Sequence, residues 1–292
     1  MLKLLKEFGS DYMKFQPVIK WSGSKRSQSE EIINRIPNKE YDTYYEPFCG
    51  GCSVLFQLLH SGIKFQHYIC SDKNKGLIDL WNEIKNNPNE VINQYKIMWD
   101  ELNIDNDKER KKQYFNTVRE RYNKYGSPYD FMFIMRTTTN GMPRYNKNGE
   151  FNNSFHITRN GIKPDTFNKI VIEWSEILNE YNVEFIHQEY NAIQTTENDF
   201  MYLDPPYANT KGMYYGVIDY NELWNWLRNQ HCIYMLSFDG RTTSRDDTYD
   251  VPKDLYSSHE YLYSGNSSFS RTIGKSNSEY VEESLYIKLL KE

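Results

Sequence analysis

Short apolar runs separated by stretches of helical spacing give the first outline of this chain. "TYYEPFC" (43–49), "QHYICS" (66–71), "VEFIH" (183–187), "FMYL" (200–203) and "CIYMLSF" (232–238) are each too short for a globular helix, and each predicts a strand. Helical patterns lie between most of them, and that alternation predicts an α/β sheet. Two later runs, "HEYLY" (259–263) and "ESLYIKL" (283–289), have no helical pattern between them and predict a hairpin on the sheet edge. The long interval between the second and third strands holds helical segments and then "MPRYNKNGEFN" (142–152), whose Asn-Gly pair between short extended pieces signals a hairpin or tight turn. Residues 76–164 are therefore expected to form an inserted domain, mainly helical, within a discontinuous sheet domain made of 1–75 and 165–292.

Composition narrows the class. A chain of 292 residues with 38% hydrophobic content can bury a large core. A net charge of −5 excludes a uniformly basic surface, although a mean conceals local patches. There is no apolar stretch of the roughly 18 residues that a membrane span needs, and "MLKLLKEFGS" lacks the apolar core of a secretory signal. The cytoplasm is the expected compartment, with no membrane partner. Four cysteines are too few for a disulfide scaffold, and the single C-x-x-C has no second pair at zinc-finger spacing, so no metal is expected.

Charge is distributed unevenly. Between Lys108 and Lys163 there are twelve Lys and Arg against four Asp and Glu, a local excess of eight positive charges in an acidic chain. In "KERKKQYFNTVRERYNKYG", Tyr114, Val118, Tyr122 and Tyr125 recur at helical spacing as the expected apolar face, leaving Lys111, Lys112 and Arg119 for the others. A charged helix face is often just solvated. Confinement of the excess to the insert, Arg136 included, points instead to a polyanion.

Two strand ends carry candidate ligand chemistry. "EPFCGGCS" (46–53) follows the first predicted strand, and its Gly50 and Gly51 let a ligand approach the backbone near a helix N-terminus. The next strand ends in "CSDKN", which places Asp72 where an acid accepts hydrogen bonds from ribose hydroxyls. Neither G-x-G-x-x-G nor a phosphate-binding P-loop is present, so the ligand need not carry phosphate. At the end of the fourth strand, "MYLDPPYANT" sets a carboxylate before a stiff Pro-Pro step. Asp204 and the Pro205 carbonyl can accept the two hydrogens of an exocyclic amine, and Tyr207 offers a flat face to a base. A strand-terminating turn with an exposed Tyr is the competing explanation of these four residues.

Taken together and in this order, "PVIKWSGSKR", "YYEPFCGGCSVLF", "CSDKN", "NGMPRYNKNGEFN" and "MYLDPPY" closely resemble the Dam-like D12 class of site-specific DNA adenine N6-methyltransferases, with the α ordering of motifs. The resemblance spans about residues 17–210. It implies a Rossmann-like methyltransferase sheet, S-adenosylmethionine as methyl donor, double-stranded DNA as partner and a target-recognition domain in the insert. By the same resemblance, Trp21, Lys25, Glu46, Pro47, Phe48, Gly50, Asp72 and Asp204 serve the cofactor pocket. Asp204, Pro205, Pro206 and Tyr207 form the catalytic tetrad. Glu189 and Tyr190 are further pocket candidates, with ordinary packing at a strand end as the alternative. Asn140 and Arg144 belong to the recognition hairpin, where an Arg can bind guanine O6 and N7 bidentately.

Relatives often carry an aromatic where this chain has Thr139, a Pro where it has Ser154 and a glycine where it has Ser24. Loss of an aromatic able to wedge between base pairs separates this hairpin from the pattern tied to a GATC target. Methylation of cytosine N4 or RNA adenine, and a silent DNA-binding relative, are the alternatives. The sequence names neither a cognate restriction endonuclease nor an oligomeric state.

Overall fold

The computed structural model describes residues 16–207, 218–266 and 280–290; "MLKLLKEFGS" and the "ANT" after Tyr207 lie outside them. Among these residues seven strands form one sheet: β1 (Tyr41–Glu46), β2 (Phe65–Asp72), β3 (Glu184–His187), β4 (Phe200–Leu203), β5 (Ile233–Thr242), β6 (Ser258–Asn266) and β7 (Tyr280–Lys288). Their order is β3-β2-β1-β4-β5-β7-β6. The pairings among β1 to β5 are parallel. β7 enters antiparallel between β5 and β6. All seven predicted runs are strands, and the late pair is a hairpin at the sheet edge. The strand order reverses between β1 and β4, where open α/β sheets leave a crevice at the carboxyl ends.

β4 is buried along its whole length, as expected of a parallel strand covered on both faces. Alternation divides its side chains. Phe200 and Tyr202 join the larger core with Tyr44, Trp81 and Trp174, whereas Met201 and Leu203 join a second core with Leu223, Trp224 and Phe238. Helices α1 (Ser29–Ile33), α2 (Ser53–Ser61), α3 (Lys75–Asn86), α4 (Pro88–Leu102), α5 (Lys108–Tyr125), α6 (Pro128–Thr137) and α7 (Pro164–Glu180) contribute to the larger core, and α8 (Tyr220–Arg228) to the second.

The predicted insert contains α3 to α6, but packing shows no break at residue 76. Helix α3 lies on β2 and β3, with Trp81 stacked on Phe185 at 5.5 Å, and also packs against α6 and α7. Helix α5 ends at Gly126, whose φ of 69° suits a left-handed cap. Ser127 then caps α6 and Pro128 begins it, so a two-residue turn reverses the chain.

The buried stripe of α5 is Lys111, Phe115, Val118 and Tyr122. This corrects the predicted face, because Tyr125 is 68% exposed. It also corrects two proposed DNA contacts. Lys111 is buried and its ammonium donates to Asn160 Oδ1 at 3.1 Å. Arg136, equally buried, donates to the Pro17 carbonyl at 3.1 Å and lies over the Phe167 ring. Both cations stabilise packing and are withdrawn from any phosphate backbone.

Candidate active site

Glu46 ends β1 and Asp204 directly follows β4, so the two acids meet at the switch point of the sheet. Around them lies a cavity of about 280 Å³, near the lower end of small-molecule sites. Trp21, Lys25, Glu46, Pro47, Phe48, Gly50, Asp72, Glu189, Tyr190 and Asp204 to Tyr207 all line it. Among the described residues, five carboxyl groups and two lysines face this cavity, and even with burial favouring the neutral form of Glu46 the balance is negative and favours a cationic ligand.

The glycine turn is braced from three directions. Gly50 N donates to Asp72 Oδ2 at 3.3 Å, and its carbonyl accepts from Trp81 Nε1 at 3.0 Å. Gly50 has φ 46°, and a Cβ there would come within 2.6 Å of the Trp21 indole nitrogen. Only glycine satisfies both constraints. Asp72 also accepts from Asn74 N at 2.9 Å, so it organises the loop as well as facing the cavity. A carboxylate has about four acceptor sites, which leaves capacity for a ribose diol.

Burial sets the protonation of these acids. Desolvation pushes Glu46 up to about 8, against the hydrogen bond donated by Tyr44 Oη at 2.7 Å. Desolvation also raises Asp72 to about 6, partly offset by the Asn74 and Gly50 amides. Asp204 is raised to about 6 by desolvation, with Lys25 acting in the opposite sense. Lys25 Nζ lies 2.8 Å from Asp204 Oδ1 and 3.2 Å from Glu283 Oε2, and donates to the Gly23 carbonyl at 3.1 Å. It also sits 4.8 Å from the centre of the Tyr207 ring.

Glu283, from β7, was missed by sequence reasoning. It accepts from Tyr207 Oη at 2.8 Å and from Ser264 Oγ at 3.0 Å. A glutamate in an alternating edge hairpin carries no local signal, because such strands ordinarily put polar side chains toward solvent. Pro143 of the hairpin also lines the cavity.

The hairpin itself is short. Tyr145 pairs with Phe151 and Thr138 with Phe155. Thr139 N and Oγ1 both reach the Ser154 carbonyl, at 2.9 and 3.2 Å, so the two departures from the family pattern hold each other. Asn140 and Arg144 are exposed, as is Lys112 on α5. Arg119 donates to the Asn153 carbonyl at 3.3 Å and thereby supports the hairpin. The Gly141 carbonyl accepts from Ser22 N at 2.9 Å, joining the hairpin to the Trp21–Lys25 segment.

Comparison with known proteins places the chain in a family. The model of the D12 class N6 adenine-specific DNA methyltransferase family matches residues 21–238. The type II methyltransferase M.MjaIII of Methanocaldococcus jannaschii is 30% identical over 209 residues, covering 67% of this chain and 70% of that protein. The DNA adenine methylase of Haemophilus influenzae is 28% identical over 225 residues, covering 71% and 69%. The M.FokI type II methyltransferase of Planomicrobium okeanokoites is 30% identical over 213 residues, which are 70% of this chain but 31% of that longer protein. The matched span contains both acids at the switch point, the glycine turn and the hairpin, and the chain belongs to the D12 class of N6 adenine-specific DNA methyltransferases.

Proposed function

We propose that the crevice between β1 and β4 binds S-adenosylmethionine, and that Asp204 and Pro205 receive the amino group of an adenine turned out of duplex DNA. The observation that carries this reading is the position of Asp204 at the carboxyl end of β4, facing the same cavity as Glu46 and Asp72. The residues present suit the methyl donor: Asp72 for the ribose, the apolar walls of Trp21, Pro47 and Phe48 for flat or aliphatic parts, and an acidic lining for positive charge. When bound, that donor supplies an electrophilic methyl group whose sulfur leaves with the bonding electron pair.

The chain's own residues make the amine reactive. The lone pair of an adenine amino group is delocalised into the ring, so it is a poor nucleophile. Hydrogen bonds from that amine to the Asp204 carboxylate and the Pro205 carbonyl draw both hydrogens aside and localise the lone pair on nitrogen. Tyr207 fixes the ring position, and the rigid Pro205-Pro206 step keeps the acceptors in place. The nitrogen becomes acidic once the new N–C bond forms, and its proton leaves to Asp204 or water. The base must leave the helical stack to reach this depth.

Arg144 and Asn140 of the hairpin are the proposed base readers, with Lys112 and Arg119 near the phosphate backbone. The test is incubation of purified protein and labelled donor with DNA from a methylation-free host, followed by digestion of one portion to nucleosides and methylation-sensitive sequencing of another. The reading requires N6-methyladenine at a short recurring sequence. Label in N4-methylcytosine, or none, overturns it.

A further inference from the structure

Lys25 is 3% exposed, and a cation so buried needs a negative partner at every stage of the reaction. In the structure it stands between two, Asp204 at 2.8 Å and Glu283 at 3.2 Å. The chemistry asks Asp204 to turn its acceptor oxygens toward an incoming amine. An ammonium held only by Asp204 would then compete with the substrate for the same oxygen.

We propose that Glu283 is a positioning residue that takes the charge of Lys25 when Asp204 engages the target amine. This inference rests on the functional reading above. Three features support it. Glu283 is prepared for the task, since Tyr207 Oη fixes Oε2 and Ser264 Oγ fixes Oε1. Its side chain is only 18% exposed, so water competes weakly for the ammonium. It lines the same cavity from β7, which lies on the other side of β4 from β1 in the sheet order. The tether through Tyr207 joins the two events, because the ring that holds the base also aims the carboxylate that holds Lys25.

The test compares wild type, Glu283→Gln, Glu283→Asp, Lys25→Met and the Lys25→Met/Glu283→Gln double variant in single-turnover methylation. S-adenosylmethionine affinity and thermal melting are measured alongside. Glu283→Gln should lower the methylation rate on the order of tenfold or more while changing cofactor affinity by less than about threefold, within half a decade. Glu283→Asp, which keeps the anion, should recover most of the rate. Adding Glu283→Gln to Lys25→Met should cost little further, because the carboxylate acts through the missing ammonium. An unchanged rate in Glu283→Gln, or an equal loss with and without Lys25, overturns the inference. A wild type that makes no N6-methyladenine overturns the underlying reading instead.

Discussion

The side chain of Asn74 donates to the Tyr145 hydroxyl at 3.0 Å, and so links the cap of α3 to the hairpin that carries Arg144. Asn74 N also donates to Asp72 Oδ1, so the acid proposed for the ribose and the hairpin proposed to read bases share one polar residue. Tyr145→Phe should therefore cost roughly 0.5–1.5 kcal/mol of stability for the Asn74 hydrogen bond, with the longer Tyr122 contact at 3.4 Å lost as well. Urea denaturation measures it; an unchanged midpoint means that this link is not holding the hairpin.

In the proposed mechanism Asp204 accepts an amine hydrogen as a carboxylate. With its carboxyl raised to about 6, methylation should be full above that pH and decline as pH falls through it. Lys25 lowers this value, so Lys25→Met should move the acid limb of the single-turnover rate upward. Asp204→Ala should reduce the rate by about 10² or more. A limb that stays in place without Lys25 would assign it to another group.

Glu46 behaves in the opposite way to a salt-bridged acid. Its folded-state value is near 8, so between about 4.5 and 8 the folded protein keeps a proton that the unfolded chain has lost. Stability of the ligand-free protein should fall as pH rises through that window. Glu46→Gln removes this titration, and its melting temperature relative to wild type should climb from pH 6 to pH 9. Parallel curves for the two proteins would show that Glu46 titrates normally.

Asp72→Ala should weaken S-adenosylmethionine binding tenfold or more, on the order of 1.4 kcal/mol. It should also lower the melting temperature, because the Gly50 and Asn74 amides lose their acceptor. Calorimetric titration and a thermal melt separate the two effects. Loss of stability with full cofactor affinity would leave Asp72 as a loop brace only.

Three cations that look alike in the sequence should respond differently. Lys111→Ala should destabilise the fold, since a buried donor is lost to Asn160. Lys112→Ala, at an exposed position, should weaken all DNA sequences alike and flatten the salt dependence by about one unit. Arg144→Ala should cost about 1–3 kcal/mol on the preferred site and relax the choice at one base pair. Competition between cognate and singly substituted duplexes at several salt concentrations checks the last two. If Arg144→Ala leaves the ranking of sites unchanged, Arg144 contacts phosphate.

All seven strands, the late hairpin and the acids at the carboxyl ends of β2 and β4 follow from local pattern, whereas Glu46 at the end of β1 is singled out only by the family resemblance. Strand periodicity and turn chemistry act over a few residues, and the motifs around Glu46, Asp72 and Asp204 each sit at the end of one strand. What tertiary structure decided are the partners of long polar side chains. Lys111 and Lys112 are adjacent in a basic run, yet the stripe 111–115–118–122 turns one inward and leaves the other outside. Adjacent residues differ by about 100° around the helix; the predicted stripe shares Val118 and Tyr122 with the observed one, but Tyr114 and Tyr125 tilt it away from Lys111 and Phe115. Glu283 lies 258 residues from Lys25 in the chain and about 3 Å from it in the fold. That meeting depends on β7 slipping between β5 and β6, an arrangement of the whole sheet that no short stretch of sequence records.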